Sequence, residues 1–186
     1  MSNMTLTSTE GGNFEPHPDG VHSAVCLDVM DLGLVTNTYQ GETSIKPMVK
    51  IVFESEAKTA DGKRCTVSKR FTASLHPKSN LWKFLGQWRG KPVGPNETIE
   101  LAKLVGACCT VVVSHQKSMA GKTYAKIDAV SKPVKKIAPS GLYDPIAARQ
   151  RYADWQAKQG VPAAAGVAPT LTAASPENDG FDDVPF

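Results

Sequence analysis

The sequence predicts a mainly β protein: a five-stranded Greek-key barrel with a helix between its third and fourth strands, then a C-terminal helix and a disordered tail. Two observations support this fold class. Apolar residues alternate with polar ones over several short segments between 20 and 130, which is typical of half-buried strands. Near residue 80 the apolar spacing changes to that of a helix, and it returns to a strand-like pattern near residue 107.

The first predicted strand runs from Gly20 to Leu32. A period of two is expected to place four apolar residues on one face of it: Val21, Val25, Leu27 and Val29. The next segment, 33–47, is rich in Thr, Asn, Gly and Ser, and the prediction for it is a long loop carrying Tyr39.

The second and third strands form a predicted hairpin. In 48–55, Val49, Ile51 and Phe53 alternate with Met48, Lys50, Val52 and Glu54. Asp61-Gly62 follows, a strong two-residue turn signal, and 64–72 is its partner strand.

The predicted helix begins after Ser79 or Asn80 and ends at Gly90 and Pro92. Its apolar stripe, at spacings i, i+3, i+4 and i+7, consists of Leu81, Phe84, Leu85 and Trp88. We expect another helical turn or two between 97 and 105, a buried strand over 107–114, a loop over 115–122 and a last strand over 123–130.

Three strands, a helix and two strands is the element order of the OB-fold, a partly open Greek-key barrel. Closing the sheet hides the edges that short strands otherwise expose. A small sandwich or an SH3-like barrel with an inserted helix is the structural alternative. The barrel domain is assigned to residues 18–136.

The predicted barrel is flanked by segments of different character. Residues 1–17 are predicted to be a flexible leader. Residues 137–159 are assigned to a C-terminal helical extension. Within it, 144–159 has helical spacing through Ile146, Tyr152 and Trp155, with Arg149 and Arg151 on other faces, and predicts a short helix that packs on the domain or helps subunits associate into a homo-oligomer. In 160–176, which carries no charge, 11 of 17 residues are Ala, Gly or Pro, so a flexible linker is expected. The acidic tip is 177–186.

Charge is divided unevenly between the body and the tip. Residues 18–136 contain 18 Lys and Arg against 10 Asp and Glu, a net charge of +8. The tip has four acidic residues and no Lys or Arg. A basic body with an acidic end indicates two binding functions of opposite sign.

Several classes of protein are disfavoured. The longest apolar run, 105–113, is too short to span a bilayer, and the N-terminus lacks the features of a secretory signal. The four cysteines form no Cys-x-x-Cys pair, so reduced thiols in a cytoplasmic protein are expected, with no metal and no other cofactor.

The tip carries the most specific motif, Asp179-Gly-Phe-Asp-Asp-Val-Pro-Phe186. It resembles the C-terminal tip of bacterial single-stranded DNA-binding proteins, which ends in aspartates, an aliphatic residue, Pro and Phe. The resemblance implies that the tip docks replication, recombination and repair proteins. The residues that carry it are Asp182, Asp183, Val184, Pro185 and Phe186, with Asp179 as a looser match. A solubilising acidic tail is the alternative.

The body does not match the first strands of that bacterial family. Its middle, residues 79–91, looks more like small OB-type replication proteins encoded by bacteriophages, a resemblance that covers roughly 18–136. The two resemblances together imply a phage-type single-stranded DNA-binding protein in the host bacterial cytoplasm, with a tip compatible with host proteins.

Single-strand binding requires cations that track phosphates and aromatic faces on which bases stack. The candidate cations lie where the strand 2–3 face and the loops of an OB-fold are expected: Lys46, Lys50, Lys63, Arg64, Lys69, Arg70, Arg89, Lys91, Lys117, Lys122 and Lys126. The candidate stacking residues are Tyr39, Trp82 and Tyr124, whereas Phe53, Phe84 and Trp88 are expected in the core.

Two other functions remain as alternatives. No phosphate-binding glycine motif or catalytic arrangement is recognisable, so an enzyme is not expected, although four scattered acids could gather around Mg²⁺ in a nuclease: Asp19, Asp28, Asp31 and Asp61. The other alternative is a non-catalytic replication adaptor whose barrel binds protein instead of DNA.

Overall fold

The computed structural model of the chain describes residues 16–39, 42–118 and 121–158. Within these ranges there are five strands and two α-helices, with one 3₁₀ turn, Leu101–Leu104. The strands are β1 (Gly20–Tyr39), β2 (Glu42–Lys58), β3 (Arg64–Thr72), β4 (Cys108–Lys117) and β5 (Thr123–Ser131). The helices are α1 (Asn80–Arg89) and α2 (Pro145–Lys158). The protein is therefore mainly β, as predicted.

The strands form one open antiparallel sheet in the order β3-β2-β1-β4-β5. Its two edge strands, β3 and β5, contact each other, and α1 contacts both of them. A side-chain bond spans this seam, since Lys69 Nζ donates to the carbonyl oxygen of Ile127 at 2.8 Å. The arrangement is consistent with a β-barrel-like fold.

The core lies on the inner face of the sheet, beneath α1. The residues predicted to alternate inward on β2 (Val49, Ile51 and Phe53) are all buried, as is the whole predicted stripe of α1. Ser79 caps α1 by accepting the backbone N–H of Trp82, and Gly90 ends it at φ 65°, a conformation that favours glycine. The predicted helix and its core role are confirmed.

The prediction of a long loop over 33–47 is wrong. β1 continues to Tyr39 and β2 begins at Glu42, so these two strands stay paired beyond the end of β3, which lies opposite Met48. We call this two-stranded extension, residues 33–39 and 42–47, the ribbon. Leu34 and Ile45 on this ribbon are 51% and 63% exposed. Because neither side chain is buried, the ribbon needs no apolar alternation, and its polar sequence concealed strands that Thr, Val and Tyr favour. The loop expected over 115–122 is likewise shorter, since β4 continues to Lys117.

The single face predicted for the first strand is also wrong. The pairing of β1 with β2 shifts between Cys26 and Asp28, which marks a β-bulge. An extra residue reverses the alternation, so Ala24, Cys26 and Val29 contribute to the core while Val21 is 67% exposed.

The segment between β5 and α2, residues 132–144, crosses the outer face of the sheet, and we call it the strap. The backbone N–H of Val134 donates to Thr110 Oγ1 on β4 at 3.1 Å. Farther along, the N–H and Oγ of Ser140 donate to the Glu54 carboxylate on β2 at 2.9 and 2.7 Å. The strap therefore leads α2 onto the outer face, and the predicted packing of this helix on the domain is confirmed.

Helix α2 is held by a buried carboxylate of β1. Asp28 is 4% exposed and accepts from Arg149 and from the Tyr143 hydroxyl. Tyr143 and Tyr152 pack over a second apolar cluster, formed by Met30, Leu32 and Val52. Neither described helix is long and apolar enough to cross a membrane.

The described chain begins with a segment that packs on the sheet. His17, within the range predicted as a leader, is 3% exposed, and its Nε2 lies 2.6 Å from Ser55 Oγ. The predicted leader up to residue 15, the linker over 160–176 and the tip lie outside the described residues. Cys26, Cys65, Cys108 and Cys109 are free thiols, as expected from their spacing.

Candidate nucleic-acid interface

Two predicted cations meet on the outer face of the sheet. Lys50 on β2 is the direct cross-strand partner of Arg70 on β3, and both are half-buried. Burial and the neighbouring Arg70 and Arg151 charges lower the pKa of Lys50. Burial also lowers the pKa of Arg70 to about 10, so its guanidinium is still charged at neutral pH. Like charges placed directly opposite each other are unfavourable by themselves and are a suitable setting for an anion.

Helix α2 adds a third cation to this pair. Arg151 is exposed and directly precedes Tyr152, which packs over Val52 on β2, and its charge lowers the pKa of Lys50. On β2, Lys46 lies four residues before Lys50 on the same outer face, where the ribbon leaves the sheet. We call Lys46, Lys50, Arg70 and Arg151 the cationic cluster.

Sequence reasoning missed Arg151 as a binding residue. The sequence predicts the helix itself, but nothing local shows which strand this helix covers. The strap decides that placement, through bonds to Glu54 that join residues 86 positions apart.

Three other predicted cations are engaged in contacts that hold the fold. Arg64 pairs with the buried Glu54 at 3.0 Å and also donates to the strap carbonyl of Ala138. Lys69 turns toward the seam between β3 and β5, within 6.0 Å of the Phe71 and Phe84 rings. Arg89 pairs with Glu97 at 2.6 Å. These three side chains hold the fold together and are not members of the cationic cluster.

The remaining predicted cations lie in turns and on the β4–β5 hairpin. Lys63 is exposed in the turn before β3, and Lys91 is exposed just after α1. Lys117 and Lys122 are exposed at the two ends of the hairpin turn, and Lys126 is half-buried on β5 opposite Ser114. These hairpin residues form a second basic group, distinct from the cationic cluster.

The predicted stacking residues occupy different surroundings. Tyr124 lies on β5 and its hydroxyl donates to Gln116 Oε1 at 3.0 Å. Trp82 is half-buried and packs against the main core, which favours a structural role. Tyr39 is the last residue of β1, and its side chain is outside the described part of the structure. The predicted docking residues, Asp179, Asp182, Asp183, Val184, Pro185 and Phe186, also lie outside it.

The acids considered for a nuclease do not gather in the structure. Asp28 binds Arg149 and Tyr143, and Asp31 accepts the backbone N–H of Gly33 at 2.8 Å. Across the described ranges, no three His, Cys, Asp or Glu side chains lie together so that they could hold a metal ion.

No protein-family model matches the chain, and no curated protein matches it.

Proposed function

We propose that this protein binds single-stranded DNA with little sequence preference and recruits partner proteins through its C-terminal tip. The observation that carries the proposal is the cationic cluster on the outer face of β2 and β3. Phosphate oxygens neutralise such a cluster, and the counterions released make binding depend steeply on salt.

The architecture supports the same proposal. A helix between the third and fourth strands, and a sheet whose edge strands contact each other, fit an OB-type barrel. OB-folds bind oligonucleotides on the face of strands 2 and 3, together with the loops after strands 1 and 4. The ribbon and the β4–β5 hairpin, both with lysines, are the corresponding connections here.

The motif at the tip supports the second half of the proposal. Its likeness to the tips of bacterial single-stranded DNA-binding proteins favours docking of DNA replication, recombination and repair proteins in a bacteriophage-infected cell, within the bacterial cytoplasm. Phe186 suits a pocket with an apolar floor, while Asp182 and Asp183 suit a basic rim and steer the approach.

The direct experiment is an equilibrium titration of the purified chain against labelled single-stranded DNA, duplex DNA and RNA at two salt concentrations. We expect preference for single strands and an affinity that falls steeply as salt rises. Equal affinity for single-stranded and duplex DNA would overturn the proposal.

A charge-matched pair of double variants assigns the face. Lys50→Glu with Arg70→Glu reverses the charge of the cluster, whereas Lys58→Glu with Lys103→Glu makes the same change in net charge at two exposed positions away from it. We expect only the first pair to abolish binding. Equal losses from both pairs would place the interface elsewhere.

Deleting residues 177–186 separates DNA binding from recruitment. The shortened chain is expected to bind single strands at least as tightly as the full chain, because the tip adds only negative charge, and to lose its partner proteins. An adaptor that binds protein through its barrel would instead show no DNA binding with or without the tip.

A further inference from the structure

Two aromatic residues of α2 form a stack beside the cationic cluster. Tyr152 and Trp155 are one helical turn apart, with ring centroids separated by 5.8 Å and planes inclined by only 22°. Side chains at i and i+3 share a helix face, so the helix itself keeps the two rings together.

The stack is fixed on the sheet from below. Tyr152 packs over Met30, Leu32 and Val52, and Gln156 Nε2 donates to its hydroxyl at 3.3 Å. One turn earlier, the pairing of Arg149 with the buried Asp28 holds α2 to β1. A ring held in this way loses little conformational freedom when a ligand binds.

The stack and the cations act on each other. Burial raises the pKa of Tyr152, and the nearby Arg70 charge opposes that rise. The packing brings the two groups together: Tyr152 lies over Val52, two residues beyond Lys50 on the same face of β2, and Arg151 directly precedes Tyr152 on α2. An aromatic surface and several cations are therefore adjacent on one face, which is the combination that single-stranded nucleic acid requires.

We propose that Trp155, supported by Tyr152, is a base-stacking platform and that α2 forms one wall of the strand-binding face. This inference rests on the proposed function. Trp155 is partly exposed, so its indole is accessible to a base. The separation of the two rings is too small for a base to insert between them, because two stacking distances of 3.4 Å need about 7 Å. The base therefore contacts the exposed part of the indole.

The other two tryptophans have structural positions. Trp88 is 6% exposed and its Nε1–H donates to the carbonyl oxygen of Cys108 at 2.9 Å. Trp82 packs against the main core from α1. A change in tryptophan emission on DNA binding should therefore come from Trp155.

The test is a titration of the full chain with an oligo-dT at low salt, followed both by tryptophan emission and by the anisotropy of a label on the DNA. We expect quenching in the unsubstituted chain and in Trp82→Phe, and loss of most of the quenching in Trp155→Phe. Trp155→Ala should bind roughly 5- to 100-fold more weakly, as expected for one lost base stack.

The two readouts separate this inference from the proposal on which it rests. If anisotropy shows no binding by the unsubstituted chain, the proposed function fails and the platform with it. If anisotropy shows binding but Trp155→Phe retains the full quenching, or a folded Trp155→Ala binds with unchanged affinity, the platform alone is overturned. Far-UV circular dichroism confirms that each variant is folded.

Discussion

Lys50 and Arg70 lie directly opposite each other on neighbouring antiparallel strands, both half-buried, with Arg151 of α2 beside them. Two like charges in such register weaken a sheet by a few tenths of a kcal/mol to about 1 kcal/mol. Such a pair attracts a negatively charged ligand, so stability and binding are expected to respond differently to the same substitution.

Neutralising Lys50 is therefore expected to weaken DNA binding without destabilising the fold. In Lys50→Gln, one phosphate contact is lost, so the slope of log affinity against log salt should become shallower by about 0.7–1. The free energy of unfolding should stay the same or rise slightly. Salt-dependent anisotropy titrations and urea unfolding measure the two effects. Lys103→Gln, an exposed control whose Nζ pairs with Glu100 at 3.1 Å, should leave the slope unchanged.

Glu54, which accepts hydrogen bonds from Ser140 of the strap, is expected to destabilise the fold strongly when its partner Arg64 is removed. Arg64→Met removes the cation beside Glu54, whose side chain is 2% exposed, and should lower the free energy of unfolding by about 3 kcal/mol, since a buried charge loses its partner. Lys135→Met breaks the exposed pair with Glu56 and should cost less than about 1 kcal/mol. Urea unfolding measures both, and similar costs for the two variants would contradict the structural role of Glu54.

The pairing of Arg149 with Asp28 predicts that DNA binding depends on how α2 is positioned on the sheet. Arg149→Met removes the cation that pairs with Asp28 and should loosen α2 while the sheet stays folded. We expect weaker binding to oligo-dT and a red shift of tryptophan emission, because Trp155 becomes more exposed to water. Unchanged emission together with weaker binding would contradict this positioning role and would indicate a direct phosphate contact by Arg149 instead.

The buried position of His17 predicts that the free energy of unfolding falls in mild acid. Its Nδ1 lies 2.7 Å from the Pro18 carbonyl oxygen, so Nδ1 carries the proton and Nε2 accepts from the Ser55 hydroxyl, which requires the neutral ring. Burial, opposed by that carbonyl and reinforced by His22 and His115, lowers the pKa of His17 below its usual 6.5.

The unfolded chain therefore takes up a proton at higher pH than the folded chain does. Stability from His17 is complete above pH 6.5 and is lost as the pH falls from there toward the lowered pKa of the folded state. The urea midpoint should decrease from pH 7.5 to 5.5, and His17→Gln should flatten that decrease. His76→Gln, at an exposed loop position, should leave it as it is. Equal pH dependence in all three proteins would contradict the prediction.

Local patterns predicted the elements whose apolar residues are buried. The stripe of α1 and the alternation of β2 could be assigned because burial on one face forces a period on the sequence. The Asp61-Gly62 turn could be assigned because the backbone there needs a positive φ, 75° at residue 62, which favours glycine. The ribbon could not be predicted, because exposed strands need no apolar alternation. The bulge in β1 could not be predicted either, because one inserted residue reverses the alternation of the strand. The cationic cluster was predicted in part: Lys50 and Arg70 follow from strand position and Lys46 from its place beside the second predicted strand, whereas Arg151 does not.

By itself, the sequence determined the mainly β class, the position of the helix between strands and the separation of a basic body from an acidic tip, because these depend on local spacing and composition. Only the tertiary structure decided that Arg64 and Lys69 hold the fold and that Tyr152 of α2 packs over Val52, two residues beyond Lys50 on β2. The contacts of Lys69 depend on how β3 meets β5, and those of Tyr152 depend on where the strap places α2. Hydrogen bonds between residues tens of positions apart set both, and they leave no period along the chain.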